Sequence, residues 1–192
     1  MKFVWILLAL VLTGCATKPL PYDMQTSDNS YEPIKVKKNL SNLELGDFEY
    51  KPNIKISSHT TSQVGCVFCN SDGSSAGFVY AEPVSEIIKV EVQNALNEVT
   101  IPSNQNVCKL SATIHLVAWD SLDGDTTVDM TYKLMKEEQI KFIRRIRTDY
   151  DNGIFELVPL KRLFATAARE NVSTLVNDNE FIEQVETICT KA

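Results

Sequence analysis

The sequence contains few of the residues that build common metal centres and nucleic-acid-binding surfaces. It has two histidines, His59 and His115, in 192 residues, too few for a His-rich metal centre, and we predict no bound metal and no cofactor. Basic residues are outnumbered, 19 Lys+Arg against 25 Asp+Glu, and the net charge of −6 argues against a protein that coats nucleic acid. Its seven glycines and seven prolines exclude a collagen-like or low-complexity chain. The remaining composition is that of an ordinary globular protein.

The first fifteen residues have the organisation of an export sequence. Lys2 is followed by an apolar stretch of twelve residues, from Phe3 to Gly14. A spanning helix needs about 20 apolar residues, whereas this length is typical of the apolar core of a secretory signal peptide. The stretch ends in Leu12-Thr13-Gly14-Cys15, which resembles the lipobox of bacterial lipoproteins. The resemblance implies cleavage between Gly14 and Cys15 and attachment of diacylglycerol to the Cys15 thiol.

Lipoprotein processing also predicts where the chain resides. Ala16 follows the cysteine, where the enterobacterial family uses Asp as an inner-membrane retention signal, so the resemblance implies the outer membrane with the domain facing the periplasm. Each buried CH₂ of an acyl chain contributes about 0.8 kcal/mol to membrane binding. Two or more chains hold a protein firmly in the membrane, and we expect a palmitate-type chain to be one of them. We expect contact with the membrane through the N-terminal acyl chains and with an unknown envelope protein, and none with nucleic acid.

The mature chain is predicted to divide into a tether and one domain. Residues 1–14 are the predicted lipoprotein signal peptide. Residues 15–52 are the predicted lipidated cysteine and flexible tether, with three prolines by Pro33 and no sustained periodicity. Within the tether, Leu43–Tyr50 could dock on the domain as an extra strand. Residues 53–192 are the predicted periplasmic domain.

Hydrophobic periodicity in this domain predicts the order β-α-β-β-β-α-α. The predicted strands are Asn53–Ser57, Lys109–Trp119, Thr126–Lys136 and Gln139–Thr148, and helices are predicted from Glu82-Pro83, from Pro159 and after Asn179. The residues expected on the buried face of the second strand are Leu110, Ala112, Ile114, Leu116 and Ala118. The order is that of an α+β domain with a single antiparallel sheet of about four strands and two or three helices packed on one face.

Part of the domain resembles a group of small lipoproteins. The strand ending Leu116-Val117-Ala118-Trp119, the meander after it, and the late helix with Ala165–Asn171 before Phe181-Ile182 look like outer-membrane lipoproteins of the YajG type. The chain also resembles, more distantly, the lipopolysaccharide-assembly lipoprotein and the auxiliary lipoproteins of membrane transport systems. The resemblance implies an accessory or partner-binding role, not catalysis.

Four cysteines remain after Cys15, and an oxidising periplasm favours disulfides among them. Cys66, Cys69, Cys108 and Cys189 allow three connectivities of two disulfides, which the sequence leaves open. Cys66 and Cys69 also have the CxxC spacing of a redox site, but the Ser/Gly-rich segment after them does not begin a helix of the kind that lowers a thiol pKa. Zinc is disfavoured, because the chain has no second CxxC.

Other polar residues are weighed as possible sites. Arg144, Arg145 and Arg147 lie on the third predicted strand of the meander, either as solvated charges that protect an edge strand or as a strip for an anionic glycan or lipid. His115 is expected on the polar side of its strand and His59 in a Ser/Thr-rich segment, so we interpret both as surface residues. The chain contains no HExxH, Walker A or GxGxxG sequence, and we predict no catalytic residues.

These observations favour a membrane-anchored periplasmic lipoprotein that acts as a non-catalytic accessory or partner-binding protein of the cell envelope. Two alternatives are open. A carrier or assembly factor for lipid or glycan would have an internal cavity or a groove lined with Arg144, Arg145 or Arg147. A thiol–disulfide oxidoreductase would act through Cys66 and Cys69 and would need an exposed Cys66 thiol of low pKa.

Overall fold

Along the part of the chain that the structure describes, three strands precede the first long helix, four strands follow it, and the remaining helices come last. The computed structural model describes residues 19–24, 33–41, 43–52, 64–67, 79–101, 108–120, 124–151 and 162–189. The first three strands are β1 (Leu40–Ser41), β2 (Glu44–Tyr50) and β3 (Gly65–Val67). Helix α1 (Val84–Val99) follows and leads directly into strand β4 (Thr100–Ile101). A meander follows, formed by β5 (Lys109–Asp120), β6 (Thr126–Lys136) and β7 (Gln139–Tyr150). The last elements are α2 (Ala165–Val176), α3 (Asn179–Gln184) and a π-helical segment (Val185–Cys189). None of the helices in these ranges is long and apolar enough to cross a membrane.

The main sheet has the strand order β2-β5-β6-β7 and is mixed. β5, β6 and β7 pair antiparallel, as a meander requires, whereas β2 and β3 pair parallel with the other edge of β5. The predicted α+β class is confirmed, but the sheet is mixed rather than antiparallel throughout. The physical reason is that α1 carries the chain back between β3 and β5, which returns it in the same direction. The predicted strand Asn53–Ser57 lies outside the described residues, and the segment considered as an extra strand contains β2.

The core lies between the sheet and the helices. The core-facing row of β6 is Val128, Met130, Tyr132 and Leu134, all fully buried as their strict alternation predicts. α1 buries its apolar stripe, and α2 packs against β6, β7 and α1. Asn171 of α2 is also buried, and its Nδ2 donates to the carbonyl oxygens of Val128 and Ile146 at 3.2 and 3.1 Å. This polar contact fixes the position of α2 on the sheet.

A β-bulge in β5 changes which residues face the core. The pairing of β5 with β6 shifts by one residue between Ile114 and Leu116, which leaves His115 as an extra residue. Because one extra residue reverses the alternation, Val117 takes the buried side of β5 after the bulge. The prediction that Leu116 and Ala118 continue the core-facing row is therefore wrong, although Ala118 is itself buried.

The β6–β7 hairpin turns through two glutamates in an uncommon conformation. Glu137 and Glu138 have φ angles of 51° and 61°, in the left-handed region that Gly and Asn adopt most easily. Positive φ at both central residues is what a two-residue type I′ turn requires, and the twist of that turn matches the strands it joins. The strands therefore impose this conformation, at a cost of about 1–2 kcal/mol per residue.

Candidate functional site

An N-terminal arm runs along the helical layer from one end of α1 towards the other. We call its described residues, 19–24 and 33–41, the strap. At the start of the strap, the backbone of Leu20 forms a parallel bridge with Tyr80, with N···O distances of 2.9 and 2.8 Å. Tyr80 lies four residues before Val84, the first residue of α1. The strap is thus fastened to the domain where α1 begins.

Tyr22 inserts its side chain into the domain. Its ring packs edge-on against Tyr80 with the centroids 5.4 Å apart, and the residue is only 5% exposed. Its amide donates to Glu82 Oε2 at 2.9 Å, and its hydroxyl donates to Glu91 Oε1 at 3.0 Å. Burial, followed by the neighbouring Glu91 carboxylate, raises the pKa of Tyr22. The hydroxyl therefore stays protonated and remains a donor at neutral pH.

The Tyr22 hydroxyl reaches a row of charged residues between α1 and α2. Glu91 and Glu98 are two turns apart on α1, so they lie on the same face of that helix. Arg162 Nη2 lies 3.5 Å from Glu91 Oε2, and Arg169 of α2 makes a two-pronged ion pair with Glu98, with Nη2 2.9 Å from Oε2. We call these four residues the polar seam.

Glu91 is the fully buried carboxylate of the polar seam. It is 1% exposed, and the loss of water raises its pKa above the ordinary value for a glutamate. The charge of Arg162 and the hydrogen bond from Tyr22 lower the pKa and offset part of that effect. Tyr22 therefore couples the strap to a buried ion pair of the domain.

The second half of the strap is held near the far end of α1. The Ile34 amide donates to Glu98 Oε2 at 3.5 Å. Lys37 is bonded to Asn177 twice, through its amide to Oδ1 and through Nζ to the carbonyl oxygen, both at 3.1 Å. Leu40 pairs with the residue that follows α1, in the two-stranded sheet of β1 and β4. Since α1 has 16 residues, the two described halves of the strap contact the domain near points about 24 Å apart.

These contacts alter the interpretation of the segment predicted to be a tether, residues 15–52. Tyr22, Leu40 and Leu43 belong to the hydrophobic core, and Leu20 and Ile34 pack against it. The described part of the segment is therefore folded onto the domain. Sequence reasoning missed the strap because its buried residues follow neither a helical nor a strand period.

The three arginines of β7 do not share one surface. Because side chains alternate along a strand, Arg144 faces the helices, whereas Arg145 and Arg147 face the opposite side of the sheet. Arg144 Nη2 lies 2.9 Å from Asp178 Oδ2 and 2.8 Å from Glu180 Oε2.

Arg145 and Arg147 are likewise paired within the chain. Arg145 donates two hydrogen bonds to the buried carboxylate of Asp129, at 2.9 and 2.7 Å. Arg147 pairs with Asp149 at 2.9 Å, and its hydrogen bonds lower the pKa of that carboxyl group. This geometry favours edge-protecting charges over a strip for an anionic ligand, because each guanidinium already has a carboxylate partner.

His115 is the histidine that the structure describes. His115 Nε2 and Thr131 Oγ1 share a hydrogen bond of 2.8 Å, on the side of the sheet away from the helices. His59 lies outside the described residues. Among the residues that the structure does describe, no three His, Cys, Asp or Glu side chains are grouped to hold a metal ion.

Two of the four cysteines form a disulfide. Cys108, directly before β5, is joined to Cys189 at the end of the π-helical segment, with S–S 2.09 Å and Cα–Cα 5.3 Å. Of the three connectivities, only the one with Cys66 joined to Cys69 contains this pair. Cys66 lies in β3 and pairs with Trp119 of β5, so it does not begin a helix as a thioredoxin-like site requires. Cys69 lies outside the described residues.

One further sequence pattern needs its structural context. Residues 73–77 have the Gly-x-Ser-x-Gly spacing of the nucleophile elbow of α/β-hydrolases, with Ser75 at the centre. That elbow joins a strand directly to a helix. Here β3 ends at Val67 and α1 begins at Val84, and the pentapeptide lies outside the described residues. The spacing alone therefore does not predict a hydrolase.

Comparisons with known proteins identify a similar fold. No protein-family model matches the chain, and no curated protein does. The crystal structure of protein XCC0632 from Xanthomonas campestris, described with the family model DUF330, is similar with a TM-score of 0.56 at 12% identity; the match covers 88% of this chain and 99% of that one. Two further structures match less well. One is an uncharacterised protein, with a TM-score of 0.46 at 10% identity over 83% of this chain and 97% of that one. The other is a PelC dodecamer from Paraburkholderia phytofirmans, with a TM-score of 0.36 at 9% identity over 74% of this chain and 97% of that one, and neither is similar enough to support an argument about this chain. The chain therefore shares the fold of the Xanthomonas protein.

Proposed function

We propose that this chain is an exported lipoprotein, acylated on Cys15 and facing the periplasm from the outer membrane, that acts as a non-catalytic, partner-binding component of the cell envelope. The observation that carries the proposal is the buried disulfide between Cys108 and Cys189, in a chain whose first fifteen residues are predicted to be an export sequence. Disulfides persist in oxidising compartments such as the periplasm. The lipobox at Leu12–Cys15 then accounts for how the exported chain is held.

The use of the charged side chains supports a non-catalytic role. Catalytic sites place titratable groups of perturbed pKa in a cleft that a substrate can enter. Glu91 has a raised pKa, but it is 1% exposed and is bonded to Tyr22 and Arg162. Its pKa reflects burial beneath the strap. The polar seam therefore acts as a structural link between two helices and the strap.

The edge strand β7 supports a protein-binding role. β7 is the last strand in the order of the sheet, and no strand among the described residues pairs with its outer edge. Ile140 and Ile143 of this strand are 49% and 56% exposed. A partner protein that docks an apolar surface against this strand would bury both residues.

The anchor is tested by the chemistry of the N-terminus. Mass spectrometry of protein from membranes should find acylated Cys15 as the first residue, and Cys15→Ser should release the protein or leave its precursor uncleaved. Cys66→Ser is the matched control, because it leaves the lipobox intact. Normal processing and membrane retention of Cys15→Ser would refute the anchor.

The partner is tested by photo-crosslinking in cells. A photoreactive amino acid at Ile143 should capture one dominant envelope protein, whereas the same residue at Glu170, exposed on α2, should not. Equal capture at both positions would exclude β7 as the docking edge. Co-purified lipid or glycan without a protein partner would favour the carrier function instead.

A further inference from the structure

The path of the strap limits how far the domain can move from its anchor. The backbone of Leu20 is hydrogen-bonded to Val79 and Ala81, and Leu20 lies only five residues after Cys15. Five residues reach at most about 17 Å, however the chain between them is arranged. A free segment with the length of residues 15–52 would instead average roughly 30–35 Å between its ends. The contact at Leu20 therefore holds the start of α1 close to the acylated residue.

We propose that the strap holds one end of the domain against the lipid surface. This is the end at which α1 begins, and it contacts the phospholipid headgroups. The inference rests on the acylation of Cys15 proposed above, and it names the membrane surface as the partner of the first residues of the strap. The far end of α1, with Ile101, then lies further from the bilayer. The domain is held at the membrane in one orientation and does not sample the periplasm on a long tether.

The chemistry of this end suits a headgroup surface. In 19–24 and 79–83 the exposed residues are small or proline: Pro19, Pro21, Ala81 and Pro83; Glu86, in the first turn of α1, is also exposed. Proline has no amide hydrogen, so contact with lipid at these positions leaves fewer backbone donors without a hydrogen-bonding water. The nearby Glu82 carboxylate accepts the Tyr22 amide, and no basic residue is present in 19–24 or 79–83. The acyl chains therefore supply the attachment, and the contact should not weaken as salt is raised, because salt screens the repulsion between acidic residues and anionic lipid.

The test compares the distances of two positions from the lipid headgroups. A fluorophore is attached through a non-natural amino acid at Ala81 or at Ile101, both exposed, in acylated full-length protein purified from membranes. The protein is reconstituted in phosphatidylethanolamine and phosphatidylglycerol vesicles that carry a nitroxide on the headgroup. Quenching at Ala81 should exceed quenching at Ile101 severalfold, at low and at high salt. Circular dichroism checks that both labelled proteins are folded.

A lengthened variant is the matched control. A flexible Gly/Ser segment of about twenty residues, which averages roughly 25 Å, is inserted between Thr17 and Lys18, leaving Cys15 and the strap unchanged. The insertion should remove most of the difference between the two positions. Equal quenching of Ala81 and Ile101 in acylated protein would refute the proposed contact with the headgroups, and so would a difference that survives the insertion. Either result would leave the proposed lipid anchor intact. Absence of acyl chains on Cys15 would overturn both.

Discussion

The disulfide between Cys108 and Cys189 should provide a large part of the stability of this domain. Its loop spans 81 residues, and the chain-entropy relation gives a stabilisation of about 4.5 kcal/mol at 25 °C for a loop of that length. Natural domains are stable by about 5–15 kcal/mol. Replacing both residues by serine should therefore leave a folded but marginal protein. In the chain-entropy relation the loss comes from the greater freedom of the unfolded chain.

Equilibrium urea unfolding measures this loss directly. Trp5 lies in the predicted signal peptide, so Trp119, which packs against the core, is the single tryptophan of the mature chain and reports its unfolding. Cys108→Ser with Cys189→Ser should lower the free energy of unfolding by about 3–5 kcal/mol. The paired substitution of Cys66 and Cys69 by serine is the control, since those residues enclose a very short loop and should cost much less. A loss below about 1 kcal/mol for the first variant, at an unchanged slope, would refute the reasoning.

Three further predictions use the same unfolding assay. Replacing Glu137 and Glu138 by Asn and Gly should stabilise the protein by about 1–2 kcal/mol, because these residues adopt positive φ more readily; no gain would show that the turn is unstrained. Burial raises the pKa of Glu91, so the stability that this residue contributes below its unfolded pKa is lost as pH rises through the folded pKa. The stability of Glu91→Gln relative to the wild type should therefore increase as pH rises above the ordinary pKa of a glutamate, and a difference that does not change with pH would contradict the raised pKa. Asn171→Leu should cost about 1–3 kcal/mol, since the buried acceptors on the sheet and Thr148 lose their donor; a neutral substitution would show that these bonds do not position α2.

The sequence predicts the elements whose burial pattern is regular. β6 alternates without interruption from Val128 to Leu134, and the structure buries that row. β5 starts equally well, but the bulge at His115 reverses its faces, and nothing in the residue types at that point distinguishes a bulge from continued alternation. Regular periodicity is therefore a sound guide within an element and fails at a change of register.

The strap could not be predicted for a different reason. Its contacts join residues far apart in the sequence: Tyr22 meets Glu91, and Lys37 meets Asn177. Each half of the strap is short, so it carries no period, and its prolines are equally typical of a flexible linker. Periodicity describes a segment and its own neighbours, whereas the strap depends on a surface assembled from α1 and α2.

If the chain is exported as proposed, it leaves the cell interior N-terminus first, and the same long separations then impose an order of events. Tyr22 finds Glu91 after 69 further residues, and Lys37 finds Asn177 after 140. Until the last elements have crossed the membrane, the residues beside Cys15 have no completed surface to dock on. An enzyme that cleaves and acylates at Cys15 would therefore meet an open substrate during translocation. The strap would close over the polar seam only once the C-terminal helices had followed.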